Sequence, residues 1–64
     1  MNKVYFNLED FPKLISTIRR TRVTSMKVSE ILIELGFKSA GFDRITERWY
    51  VVEHEYTWLV LRFS

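Results

Sequence analysis

Sixty-four residues with a net charge of +2, 47% of them hydrophobic and 16% aromatic, read as one small domain spanning 1–64, near the lower size limit for a core that folds unaided. That apolar content excludes a disordered chain, and the absence of cysteine excludes a disulfide framework and a thiolate metal site. Charge is uneven: between Lys13 and Arg48 eight bases (Lys13, Arg19, Arg20, Arg22, Lys27, Lys38, Arg44, Arg48) face four acids (Glu30, Glu34, Asp43, Glu47), while each flank is slightly acidic, which suits a centre that meets a polyanion.

In chain order, "KVYFNL" alternates, with Val4, Phe6 and Leu8 on one face and Lys3, Tyr5 and Asn7 on the other, the pattern of a half-buried strand. In "EDFPKLISTIRRTR", Asp10 is a candidate N-cap and Pro12 suits a first turn; Phe11, Leu14, Ile15 and Ile18 form one helical stripe that ends in arginines. Thr24 or Ser25 can cap a second helix, "MKVSEILIELG", whose stripe is Val28, Ile31, Leu32 and Leu35 and whose stop is Gly36. Met26 and Ile33 lie seven apart on a second line. Residues 39–47 read as a short helix with Phe42 and Ile45 inward, and the aromatic "RWYVVEHEYTWLVLRFS" reads as a hairpin with strands near 48–53 and 56–63. The expected class is α+β, in the order β-α-α-(short α)-β-β, with a C-terminal antiparallel hairpin.

In that hairpin reading one face carries Trp49, Val51, Thr57, Leu59, Leu61 and Phe63. The other, with Tyr50, Val52, Trp58 and Val60 and with Tyr5 added from the first strand, is too apolar for solvent and is the expected partner interface, for a homodimer or another protein. No apolar run approaches the roughly 18 residues of a membrane span. The first residues lack a signal-peptide core, so a cytoplasmic protein is expected.

Chemistry is sparse. His54 between Glu53 and Glu55 reads as an exposed polar turn, and Ser16, Ser25 and Ser29 as helix-surface or capping residues. There is no glycine-rich phosphate loop, nucleophile elbow or metal-ligand spacing. An enzyme is not expected, nor a cofactor, a metal or a small-molecule substrate.

"VSEILIELGFKSAGFDRITE", residues 28–47, resembles the helix-turn-helix segment of bacterial DNA-binding domains, and the hairpin after it resembles the wing of a winged helix-turn-helix. In that resemblance Gly36 ends the first helix, Phe37 follows it, Ser39 starts the recognition helix, and Phe42 and Ile45 anchor that helix on the core. Leu32 stands where the family usually has a small residue, and Gly41 would lie inside the recognition helix; both depart from the pattern. The resemblance implies a transcription regulator on double-stranded DNA, with Lys38, Ser39 and Arg44 on the reading surface and Arg48 beside it. Arginine can bond a guanine edge at two points. Arg19, Arg20, Arg22 and Lys27 would hold phosphates.

The N-terminal half also resembles the ribbon-helix-helix repressors, which would make Lys3, Tyr5 and Asn7 the base-facing residues of a paired ribbon. A further alternative is a small phage- or plasmid-type inhibitor or adaptor that works through the aromatic hairpin face.

Overall fold

The computed structural model describes residues 2–18 and 24–64. Strand β1 (Lys3–Phe6) is followed by a 3-10 turn (Leu8–Asp10), helix α1 (Pro12–Ile18), helix α2 (Ser25–Glu34), strands β2 (Gly41–Asp43) and β3 (Arg48–Val52), and helix α3 (Glu53–Phe63). Among the described residues this is an α+β protein with three helices and a three-stranded antiparallel sheet of order β1-β3-β2.

The first half follows its local signals. β1 alternates as its sequence does, with Phe6 buried and Tyr5 exposed. Asp10 caps the 3-10 turn rather than a helix, its carboxylate accepting the Asn7 N–H, and Pro12 opens α1 because a first-turn residue needs no N–H donor. Leu14 and Ile18 carry that helix's buried stripe. Thr24 caps α2, its hydroxyl accepting the Lys27 N–H at 3.3 Å. At the other end Gly36 adopts φ 111°, its N–H reaching the Ile33 carbonyl while the Phe37 N–H reaches that of Leu32. That is the Schellman closure of a helix, and Phe37 is buried beyond it. Arg62 adds a further bond to this helix end, donating to the Leu35 carbonyl at 3.2 Å.

The second half corrects two expectations. Residues 39–47 are not a helix: they form β2 and the turn into β3. Phe42 and Ile45 are three apart, but only Phe42 packs, its ring tilted against Trp49 across the strand pair with centroids 4.9 Å apart, whereas Ile45 is 94% exposed. Asp43 turns the chain by accepting the Ile45 N–H on its carboxylate, a local bond that competes with helix.

Nor are residues 56–63 a strand. Val52 leads without a loop into α3, so the hairpin is β2–β3 and the chain closes on a helix. Glu53 and Glu55 occupy the first turn, where the helix dipole favours acids. Glu55, Leu59 and Phe63 are buried at four-residue spacing, while Trp58 and Leu61 are 53% and 79% exposed. The aromatic and β-branched composition that suggested a strand yields to this helical period.

Helices and sheet form two layers. Phe6 and Val51 from the sheet meet Phe11, Leu14, Leu32 and Leu59 from the helical side in one core. β3 is central, with Val51 fully buried toward the helices. Pairing sets Lys3 opposite Val52, Tyr5 opposite Tyr50, and both Phe6 and Phe42 opposite Trp49. Alternation from Val51 therefore turns Lys3, Tyr5, Arg48, Tyr50 and Val52 away from the helices.

Candidate nucleic-acid interface

Two surfaces gather the residues that the sequence singles out. The first lies where α2 begins. The Trp49 indole N–H donates to the Ser25 carbonyl at 3.2 Å, tying β3 to the helix start. Beside this bond Ser25, Phe42, Arg44, Glu47 and Trp49 line an open cleft of about 480 Å³. Lys27 stands in the first turn of α2 and pairs with Glu30 at 3.1 Å, both well exposed, a contact of little energetic weight. Arg44 is exposed in the hairpin turn with Ile45 beside it, and Arg48, also exposed, opens β3 opposite Asp43. Glu47 takes φ 55°, a left-handed conformation that tightens this turn.

Lys38 is exposed in the turn ahead of β2. Ser39 is committed elsewhere: its backbone N–H and its hydroxyl both donate to Glu55 Oε1, and its hydroxyl oxygen accepts the Val52 N–H at 2.9 Å. It is therefore a structural hinge pin and not the first residue of a reading helix. Arg19, Arg20 and Arg22 lie outside the described residues.

Glu55, expected with Glu53 and His54 in an exposed polar turn, instead lies in the first turn of α3 and is only 6% exposed. Burial pushes its carboxyl up, but the hydrogen bonds from the Ser39 hydroxyl and N–H and from the Lys38 N–H, with the charge of His54, outweigh burial and hold it below its ordinary value. The available signal was its place four residues before Leu59 on the buried stripe.

The second surface is the outward face of the sheet. Tyr5 and Tyr50 have ring centroids 5.6 Å apart, and Lys3 Nζ sits 4.5 Å from the Tyr50 centroid. Val52 belongs to this face as well. Trp58 does not: it lies on α3, edge-on to His54 at 5.2 Å. Val60 packs against the core. The expected partner interface is thus divided between a sheet face and a helix.

Among the described residues no helix is long and apolar enough to cross a membrane. The serines behave as helix residues: Ser16 donates to the Pro12 carbonyl and Ser29 to that of Met26. By its fold the chain is a small two-layer α+β protein. No protein-family model matches it, and neither does any curated protein or solved structure.

Proposed function

We propose that this chain is a non-catalytic, double-stranded-DNA-binding regulator of winged helix-turn-helix type, with the helix pair one element earlier than the sequence resemblance placed it. In this reading α1 and α2 are the pair, α2 enters the major groove, and the β2–β3 hairpin that directly follows is the wing. The observation that carries it is the Trp49–Ser25 hydrogen bond, which fixes hairpin to helix start and sets Arg44 beside the N-terminal turn of α2. Gly36 then closes the second helix of the pair instead of turning between the two.

Lys27, Lys38 and Arg44 are the groove and phosphate contacts in the described chain, whereas Arg48 shares the outward sheet face with Tyr50; Arg19, Arg20 and Arg22, which precede α2 in the sequence, join the duplex contacts. The test is a salt titration of binding to random duplex DNA. Several neutralised phosphates give a steep loss of affinity with salt, about 0.9 log units per phosphate for each tenfold change in salt. Arg44→Ala and Arg20→Ala should each weaken binding. Absence of binding at about 50 mM salt, where such contacts are strong, defeats the proposal.

One observation favours a second reading, a small protein-interaction module. Trp58 and Leu61 are exposed one turn apart on α3. If Trp58→Ala abolishes association with a protein partner or a second copy while Arg44→Ala leaves it intact, that reading replaces the first.

A further inference from the structure

We propose that the outward face of the sheet is a second nucleic-acid surface, a platform for single-stranded DNA. Its centre is Tyr50 on β3. Gly41 is its partner on β2, and a Cβ there would collide with the Tyr50 hydroxyl. The glycine therefore lets the tyrosine ring lie across the neighbouring strand. Tyr5, 41% exposed, flanks the ring on the other side, and the Lys3 ammonium sits over it. Arg48, two residues before Tyr50 on the same face, adds a second cation. Asp43, opposite Arg48, is the face's carboxylate, and it is engaged by the Ile45 N–H.

The solvated face of an antiparallel sheet is ordinarily polar, and this one, turned away from the core by its register, is aromatic and partly exposed. What it offers is two aromatic rings between two cations. An unpaired base can stack on the exposed Tyr5 ring, and on Tyr50 once the Lys3 side chain swings from over that ring to a phosphate, so the binding is tolerant of sequence and sensitive to salt. A duplex keeps its bases stacked on one another and offers only their edges in the grooves, so it gives these rings no base face to stack on. A second copy of this chain would bring one net-positive face against another. DNA is named as the occupant because this surface rests on the proposed reading of the chain as a DNA-binding regulator; Asp43 keeps acceptor sites free beside the Ile45 N–H, so the oligouridylate arm tests that choice.

The experiment is fluorescence anisotropy of a labelled oligothymidylate titrated with the full chain, beside a random duplex and an oligouridylate. Oligothymidylate should bind at low salt, and Tyr5→Leu and Lys3→Glu should each weaken it about tenfold, the scale of losing one stacked base or one phosphate contact. Both residues are exposed, so both variants should keep the wild-type circular dichroism spectrum. Tyr5→Leu should leave duplex binding unchanged, whereas Arg44→Ala should weaken the duplex arm, so the two surfaces succeed or fail separately. The proposal is overturned if oligothymidylate does not bind, if both variants bind it as the wild type does, or if oligouridylate binds better. It is equally overturned if the free chain has the solution mass of a dimer that Tyr5→Leu dissociates, for then the face belongs to a second copy.

Discussion

Glu55 in α3 and Ser39 ahead of β2 are joined twice through one carboxylate oxygen, which accepts both the backbone N–H and the hydroxyl of the serine. The same hydroxyl oxygen accepts the Val52 N–H, so a single buried carboxylate aligns a turn, the end of β3 and the first turn of α3. Removing it strands two donors in a half-buried site. Glu55→Ala should therefore cost about 2 kcal/mol in urea unfolding, with Glu55→Gln milder because its amide oxygen can still accept.

The same contact sets a pH dependence. Because the folded carboxyl titrates below the ordinary glutamate value of 4.5, the unfolded chain binds the proton more readily. The stabilisation is present above that value and drains away as pH falls through it toward the folded pKa. Unfolding midpoints measured across this acid range should fall more steeply for the wild type than for Glu55→Gln. Parallel curves for the two proteins would contradict the assignment.

Gly36 at φ 111° ends α2 in a conformation that side chains disfavour, although open space surrounds it. Gly36→Ala should lower stability by about 1 kcal/mol from backbone strain alone. The loss should register in the thermal midpoint without disturbing Tyr50.

Gly41 responds differently. Its added Cβ would meet the end of the Tyr50 side chain rather than backbone, so the ring should move and the fold should survive. Gly41→Ala should thus retain most of the stability while weakening oligothymidylate binding. A variant that unfolds, or that binds as well as the wild type, would show that the glycine does not position the ring.

Trp49 couples helix to hairpin through its indole N–H. Trp49→Phe keeps the ring against Phe42 and removes that donor to the Ser25 carbonyl. About 1 kcal/mol of stability should be lost, the usual net worth of such a bond. Duplex affinity should fall further than stability, because Arg44 is no longer held against the start of α2.

The sequence exposes the first half of the fold more fully than the second, for physical reasons that particular residues make plain. Thr24, Gly36 and the Val28–Leu32 stripe are local signals, and each does locally what it promises. Phe42 and Ile45 mislead because a spacing of three suits a helix even when only one member packs; the Asp43 turn and the Phe42–Trp49 ring contact are what decide for strand. In α3 the abundance of Tyr, Trp and Val points to a strand and outweighs the period of its buried residues, and Glu55, the carboxylate on that stripe, reads instead as part of a polar turn. Of the two surfaces, Tyr5, Tyr50 and Val52 are legible as an unusually apolar sheet face. Gly41's part in it is not, because that depends on a cross-strand pairing that no local pattern encodes.

The central place of β3 gives the two neighbouring strands unequal histories. Phe42 finds Trp49 across a short hairpin turn, while Val4 must find Val51 from the opposite end of the chain. Closing the short loop costs less chain entropy and closing the long one more. A peptide of the hairpin alone would carry Arg44, Gly41 and Tyr50 but neither Lys3 nor Tyr5. The aromatic platform is thus a property of the closed chain, assembled from both its ends, whereas the wing is written into one short piece of it.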